Sequence, residues 1–359
     1  MQDKTKILLT LLLPVQIIGI QLISFFPKFI EDYYSNGLYL YISRGLRYTF
    51  GWIPFSFGDI GYFIFIIFII RFIYKQFKTK PFSWKKLVIE IGSTLSVVYF
   101  MFHILWGLNY YRQPMHKILD IDDTYTEAEL IQVAKYFIEK SNQIHQQLQP
   151  DDSLAVEIPY TKDEIFDKTI AAYQNLVKKY PFQSYQPASI KKSMLSLPLT
   201  YMGFSGYLNP ITNEGQVNSL ILNYKTPTTT CHEEAHQIGF AKENEANFIG
   251  ALAALNSDDL YFRYSGVTFA LKFCLNDLYR RDEQKAICLI EQNLRHGVRM
   301  NYRAVNEFWE AYRNPIEPLF KESYDSYLKA NNQPDGMETY SYVSALLVNY
   351  FKGKEVLDF

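Results

Sequence analysis

The sequence predicts a mainly α-helical protein with a small β-sheet, preceded by three transmembrane helices. Three long apolar runs lie in the first third of the chain. The rest is polar with helix-spaced apolar residues, except for one stretch near its middle that glycine and proline interrupt. The 359 residues therefore divide into a membrane domain, 1–108, and a polar domain, 109–359.

Each apolar run is long enough to cross a bilayer. The runs cover about residues 7–26, 55–74 and 87–108, and a helix needs about 20 apolar residues to cross the hydrocarbon core. The first run ends at Pro27 without a small-residue cleavage site, which favours a retained span over a signal peptide. Residues 28–58 are rich in Tyr and Phe, so we expect them to lie along the membrane interface.

The basic residues predict the orientation of the spans. The linker 71–86 carries six Lys or Arg and no acid, and Lys4 and Lys6 precede the first span. The positive-inside rule places both segments in the cytoplasm, with Arg112, His116 and Lys117 as mild exceptions beyond the third span. Three crossings then put the polar domain on the outer face of the membrane.

The sequence of the polar domain predicts helices around a small sheet. Thr126 can cap a helix that runs to about residue 147, and a second helix is predicted over 161–180. Short β-rich pieces, such as 217–223, are predicted between 196 and 223. From residue 226 onward the pattern is helical, with breaks expected near Gly239, 256–259, Gly266, 281–282 and 331–336.

The composition excludes several functional classes. The formal charge is −1, with 36 basic and 37 acidic residues, so the chain lacks the basic character of a nucleic-acid-binding protein. The hydrophobic share of 48% excludes a disordered chain. Three cysteines allow at most one bridge and therefore no disulfide framework.

One segment, 226–248, carries the spacing of a zinc site. Pro227 suits the first turn of a helix that Thr226 can cap. His232 and His236 lie one turn apart on that helix, so both imidazoles can reach one zinc ion. Glu233 lies beside them and can act as a general base. Helical His pairs also occur without a metal, so the segment that follows decides the interpretation.

The helix after Gly239 offers a third ligand. Gly239 can end the first helix in a left-handed turn, and the next helix opens with Glu243 and Glu245. We favour Glu243, because Asn247 lies one turn further on and can support it; Glu245 is the alternative. Cys231 precedes the first histidine and points about a quarter turn away, so we expect it to pack in the core.

These residues resemble known peptidase motifs. HEEAH followed by ENEAN is similar to the zincin metallopeptidases, and the full layout resembles a bacterial domain-of-unknown-function family of membrane-anchored zinc metallopeptidases. The resemblance implies zinc ligands at His232, His236 and Glu243, a catalytic Glu233 and a supporting Asn247. Lys242 stands where a metzincin has His or Asp, which argues against a true metzincin.

The resemblance implies a zincin-like, α+β catalytic domain outside the bacterial cytoplasmic membrane. Its partners would be the lipid bilayer and a peptide or envelope-protein substrate, and it would not bind nucleic acid. The alternative is a non-catalytic membrane sensor or interaction protein in which zinc only folds the domain. Glu233 discriminates between the two, because a structural zinc site does not use a general base.

Two further details of the site follow as expectations. Residues 216–223 are expected to form an edge strand that pairs with an extended peptide. An oxyanion donor is expected from the C-terminal helices, and the candidates are Tyr340, Tyr342, His296 and Arg299.

Overall fold

The structure is a computed structural model that describes residues 2–78, 82–179, 184–333, 336 and 342–353. It is mostly helical with a three-stranded sheet, as the sequence predicts. A π-helical segment, Ile30–Leu38, lies between α2 and α3, and 3₁₀ turns cover Gly107–Tyr111 and Asn223–Lys225. The helices and strands are α1 (Gln2–Ile23), α2 (Pro27–Phe29), α3 (Tyr39–Phe50), α4 (Phe57–Lys78), α5 (Trp84–Leu105), α6 (Met115–Ile118), α7 (Glu127–Leu148), α8 (Lys162–Lys179), β1 (Ile190–Lys192), α9 (Ser196–Met202), β2 (Gly206–Asn209), β3 (Glu214–Val217), α10 (Thr226–Gln237), α11 (Glu243–Leu255), α12 (Leu260–Arg281), α13 (Glu283–Asn293), α14 (His296–Ala311), α15 (Glu317–Ala330) and α16 (Tyr342–Phe351).

Helices α1, α4 and α5 coincide with the three predicted spans. The stretches Lys4–Ile23, Phe57–Gln76 and Trp84–Leu105 are long and apolar enough to cross a membrane. Each is shifted by only two or three residues from the predicted run. The three helices are compatible with a membrane-anchored protein.

Helices α1 and α5 pack closely through small and polar residues. A Cβ atom on Gly92 of α5 would lie 2.5 Å from the Thr10 methyl group of α1, so glycine permits this approach. The Thr10 hydroxyl also donates to the Ile89 carbonyl oxygen at 3.1 Å. Small residues and interhelical hydrogen bonds are the usual means of helix association in lipid, where apolar packing alone gives little preference.

The segment from Ile30 to Phe50 joins the membrane helices to the polar domain. Its exposed face carries Tyr33, Tyr41 and Tyr48, which are typical of a membrane interface. Its other face is buried against the polar domain rather than lying along the membrane. The Tyr39 hydroxyl donates to the Gln237 carbonyl oxygen at 3.0 Å. The segment therefore holds the C-terminal end of α10 through this hydrogen bond.

Arg112, one of the exceptions to the charge pattern, is paired inside the protein. Its guanidinium donates to both carboxylate oxygens of Glu31, at 2.8 and 2.6 Å, and to the Gly239 carbonyl oxygen at 2.8 Å. It also lies 4.2 Å from the centroid of the Phe240 ring. Both charged side chains are buried. Arg112 therefore fixes the turn after α10 and is not a free cation at the membrane surface.

We expect Glu31→Gln to destabilise the protein by about 3–5 kcal/mol, because it leaves the buried Arg112 charge without a counter-charge. Chemical unfolding of the purified protein in detergent micelles measures this. The matched control is Asp32→Asn, which breaks the exposed Lys28–Asp32 pair of 3.0 Å and should cost less than about 1 kcal/mol. Equal effects of the two substitutions would contradict the prediction.

The core of the polar domain lies among α7, α11, α12 and α16. Phe137, Phe248, Leu271 and Leu347 are fully buried in it. The predicted cap of α7 is confirmed, because the Thr126 hydroxyl accepts from the Glu129 backbone N–H while the Glu129 carboxylate accepts from the Thr126 N–H. Helix α11, whose first turn contains Glu243, is packed into this core.

The sheet has the order β1-β3-β2, and this corrects the predicted edge strand. Strand β1 pairs with β3 in parallel and β2 pairs with it antiparallel, so β3 is central. Residues 218–223 are not a strand. The chain turns because the Asn218 side-chain oxygen accepts from the Leu220 N–H, which ends β3 at Val217.

The predicted break at Gly266 is also wrong. Helix α12 continues through this residue. A Cβ atom here would lie 3.0 Å from the Ala254 Cβ and 3.0 Å from the Leu255 nitrogen. The glycine therefore lets α12 approach α11 closely, which a local pattern cannot distinguish from a helix end.

Candidate metal centre

Helix α10 carries the HEEAH sequence and is buried over most of its length. Pro227 lies in its first turn, as predicted. Thr226 is not the cap: it is the first helical residue, and its hydroxyl donates to the Leu222 carbonyl oxygen at 3.2 Å. The preceding 3₁₀ turn extends the helical path by one residue, which moves the cap position to Lys225. Cys231 packs in the core, as predicted.

The turn at Gly239 reverses the chain after α10. Gly239 has φ 98°, in the left-handed region, as its predicted role requires. A Cβ atom on it would lie 3.1 Å from the Tyr39 ring and 3.2 Å from the Asn109 side-chain oxygen. Conformation and space both require glycine here. Helix α11 begins four residues later, at Glu243.

Helix α11 crosses α10 closely at the first histidine. A Cβ atom on Gly250 would lie 2.9 Å from the His232 backbone nitrogen and 3.0 Å from its Cα. Glycine thus allows backbone to approach backbone at this point. The crossing brings the first turn of α11 against the histidine face of α10.

His232, His236 and Glu243 converge in a cluster. Their candidate ligand atoms all lie within 4.8 Å of one another. The Glu243 carboxylate oxygens lie 3.2 Å from Nε2 of His232 and 3.5 Å from Nε2 of His236. The two imidazole rings are 4.5 Å apart and nearly perpendicular. Two imidazoles and a carboxylate are a donor set that suits zinc.

Contacts behind the cluster orient its members. Nδ1 of His236 lies 2.7 Å from the Phe240 carbonyl oxygen, an arrangement in which Nδ1–H donates and Nε2 faces Glu243. The Tyr324 hydroxyl donates to Oε1 of Glu243 at 2.5 Å. Asn247 is buried and lines the same cleft as His232, and its supporting role stays a prediction.

Glu245, the alternative ligand, is directed elsewhere. Its carboxylate accepts from the Met115 backbone N–H at 3.0 Å, at the start of α6. It therefore fixes the short helix after the membrane domain. The structure brings Glu243, and not Glu245, to the two histidines.

Glu233 lies on the same helix but outside the cluster. It is 3% exposed, and its Oε2 atom has no hydrogen-bond partner in the part of the chain that the structure describes. A Cβ atom on Gly206 of β2 would lie 2.5 Å from Glu233 Oε1. Burial raises the pKa of Glu233 to about 8. The carboxyl group is therefore a stronger base than an exposed glutamate.

The electrostatics of the cluster favour a positive charge at its centre. Burial lowers the pKa of His236, but the Glu243 and Glu233 carboxylates outweigh this and raise it to about 9. Burial opposes ionisation of Glu243, yet the imidazoles hold its pKa well below the usual range. Burial and the neighbouring His236 lower the pKa of His232. A proton or a metal ion can supply this charge.

The cluster and Glu233 line one cleft of about 670 Å³. Strand β2 forms one side of it through Gly206, Tyr207 and Leu208. Helix α15 forms another side through Tyr324 and Tyr327. Tyr342, His296 and Arg299 do not line this cleft, and Tyr340 lies outside the described residues. Tyr324 and Tyr327 were not predicted; their spacing of three on an amphipathic helix is the only local signal, and it is common.

The fold and cleft define a class: mostly helical chains with three membrane-length helices and a His-His-Glu cluster, two of whose three residues are buried, beside a small sheet. The chain belongs to the family described as protein of unknown function (DUF3810), whose model matches residues 34–348. The match begins in the π-helical segment and includes α4, α5 and the cluster. No curated protein and no solved structure matches the chain.

Proposed function

We propose that the protein is a membrane-anchored zinc metallopeptidase with a zincin-like site. One observation carries the proposal: His232, His236 and Glu243 converge in a cleft that Glu233 also lines, and the buried Oε2 atom of Glu233 has no hydrogen-bond partner among the described residues. A structural zinc site has no use for the second carboxylate. Three protein ligands also leave one position open, which is the pattern of catalytic zinc.

In this proposal, His232, His236 and Glu243 hold the zinc ion. Zinc, when bound, acts as a Lewis acid that activates water and polarises a carbonyl group. The Tyr324 hydroxyl and the Phe240 carbonyl oxygen hold Glu243 and His236 in place. These are positioning contacts, made before any substrate arrives.

Glu233 performs the proton transfers. Its raised pKa brings the carboxylate close to the working pH, where a general base is most effective. It accepts a proton from the attacking water and delivers that proton to the leaving amine, so the amide C–N bond breaks and a carboxylate and an amine form. Its burial limits the access of bulk water to this proton.

Strand β2 is the proposed binding edge for an extended peptide. It pairs with β3 on one side, and no strand of the described chain pairs with its other edge. Gly206 and Leu208 of this strand line the cleft beside Glu233. A peptide that pairs with β2 passes the cluster in an extended conformation, which exposes its carbonyl groups. This role replaces the one predicted for residues 216–223.

The proposed location is a bacterial cytoplasmic membrane, with the N-terminus inside and the polar domain outside. The support is the linker between α4 and α5, whose basic residues lie at the ends of the spans remote from the polar domain. Peptides or envelope proteins on the outer face are then the accessible substrates. A reporter fused after Phe359 that is active only outside the cytoplasm supports this; activity only in the cytoplasm reverses it.

The test measures zinc content and peptide cleavage in the same sample. Full-length protein in lipid nanodiscs is analysed for metals and incubated with β-casein, a disordered substrate. The proposal requires one zinc per chain, cleavage that 1,10-phenanthroline abolishes, and recovery when zinc is restored. Bound zinc without any cleavage favours the sensor or interaction protein, and no zinc rejects both.

A glycine of β2 provides a sharper prediction. We expect Gly206→Ala to lower the peptidase kcat about 10²-fold while zinc content stays at one per chain, because the added methyl group would lie 2.5 Å from Glu233 Oε1 and 2.7 Å from the Gln216 carbonyl oxygen, which forces the Glu233 carboxylate and β2 apart. Peptide hydrolysis and elemental analysis measure the two effects. The control is Gly45→Ala on α3, where a Cβ atom meets nothing within 4 Å. Loss of zinc in Gly206→Ala would contradict the prediction.

A further inference from the structure

The cleft of the candidate metal centre reaches the membrane helices. Tyr62, in the second turn of α4, and Phe102, in the last turn of α5, both line it, together with Trp106 just after α5. Tyr62 and Phe102 lie inside the stretches that can cross a membrane. The cleft therefore extends from the His-His-Glu cluster to the level at which the chain enters the bilayer.

Helices α4 and α5 are attached to different parts of the polar domain, on either side of this cleft. The α4 side is held by Asp59, which accepts from the Met194 N–H at 2.7 Å, and by Glu214 of β3, which accepts from the Gly58 N–H at 2.6 Å. The α5 side is held by Trp106, whose indole N–H donates to the His236 carbonyl oxygen at 3.2 Å. Helix α4 is thus attached to the sheet and to the segment after β1, whereas α5 is attached to α10, the helix that contains His232 and His236.

Helix α4 is open to lipid between its two attached ends. Every residue from Phe63 to Ile70 is exposed within the described chain, whereas α1 packs along α5. At the end remote from the polar domain, the Gln76 side chain donates to Glu90 of α5 at 3.0 Å. The two helices meet there, and the aromatic residues at their other ends face the cleft. The space between α4 and the α1–α5 pair, which we call the passage, is therefore not filled by another helix of the described chain, and Tyr62 and Phe102 lie at its cleft end.

The rim of the cleft is apolar as well. Met194 before α9, Leu197 in its first turn, and Ile316 and Leu319 at the start of α15 are all more than half exposed. Met194 is bonded to the first turn of α4, and Tyr327 of α15 contacts the Phe102 ring at 6.2 Å. Met194 thus lies near the α4 side of the cleft, and Tyr327 lies near the α5 side. Exposed apolar side chains next to the spans would be covered by lipid if they reach the bilayer surface.

We propose that the cleft takes its substrate from the membrane: a membrane-anchored polypeptide whose apolar segment enters between α4 and the α1–α5 pair. This deepens, and rests on, the proposed peptidase function. The cleaved bond lies just beyond the bilayer surface, where the chain leaves the passage and meets the cluster. Confinement of both molecules to one membrane raises the effective concentration of such a substrate, whereas a soluble peptide enters only from the polar side.

The first experiment closes the passage. The exposed cysteine is first removed from the full-length protein by Cys288→Ser. Tyr62→Cys and Phe102→Cys are then introduced together. The protein is treated with a bismaleimide crosslinker in vesicles of phosphatidylethanolamine and phosphatidylglycerol. The substrates are a disordered β-casein segment and the same segment fused to a 21-residue Leu-Ala helix. The control pair is Gln76→Cys with Glu90→Cys, at the end where α4 and α5 already meet.

We expect crosslinking at Tyr62 and Phe102 to slow cleavage of the anchored substrate at least about tenfold more than cleavage of the soluble segment. The control pair should change neither rate. Each crosslinked sample is compared with the same variant before treatment. Unchanged cleavage of the anchored substrate, or an equal loss for both substrates, overturns the proposal.

A second readout separates this proposal from the peptidase function. The Leu-Ala helix, carrying a benzophenone group near its end, is photo-crosslinked to the Glu233→Gln variant, which needs no turnover. Labelling of Tyr62 or Phe102 supports membrane entry, even if no peptide is cleaved and the peptidase proposal fails. Labelling confined to the exposed run 63–70 overturns membrane entry, even if soluble casein is cleaved.

Discussion

Replacing Glu233 with glutamine is expected to lower the peptidase kcat by about 10²–10⁴-fold, with zinc retained. The amide cannot accept the proton of the attacking water, but it keeps the volume and burial of the carboxyl group. Glu233 contributes no atom to the His-His-Glu cluster, so the affinity for zinc should be unchanged. Steady-state hydrolysis and elemental analysis of the same preparation measure both effects.

The control for this substitution is Glu322→Gln, which makes the same chemical change at an exposed position of α15. Its kcat should equal that of the unmodified protein. If Glu233→Gln kept full activity, Glu233 would not be the base, and its unpartnered oxygen in the cleft would need another explanation. If it lost zinc, the carboxylate would belong to the metal site itself.

The second large effect concerns the third ligand. Glu243→Gln is expected to weaken zinc binding by more than about 100-fold, which exceeds the usual cost of losing a residue that only supports a ligand. The amide is neutral and a poor ligand, and the two imidazoles lose the negative charge that faces them. Competition with a fluorescent zinc chelator measures the affinity.

Glu245→Gln is the matched control, two residues away in the same helical turn. Its amide oxygen can still accept from the Met115 N–H, so zinc affinity should change little. The opposite result, with zinc lost in Glu245→Gln and kept in Glu243→Gln, would require α11 to be rotated from its present position. Loss in both variants would indicate unfolding, which circular dichroism of the two proteins detects.

Local patterns in the sequence determined a large part of this protein. The apolar runs predicted the three spans to within a few residues, because spanning length depends only on consecutive apolar residues. The capping box at Thr126 and the left-handed turn at Gly239 are likewise local. Helical spacing placed His232 and His236 on one face, and the one-turn relation of Glu243 to Asn247 favoured the carboxylate that lies beside the two histidines.

Only the tertiary structure decided which distant residues meet. Tyr324 and Glu243 are 81 residues apart, as are Arg112 and Glu31, and no local period relates them. Gly266 has the same local signature as a helix-ending glycine, but it serves the close packing of α12 on α11. The central position of β3, and the cleft between α4 and α5, depend on where separate elements dock. Periodicity specifies one element at a time, whereas docking depends on complementary surfaces from elements that are far apart in the chain.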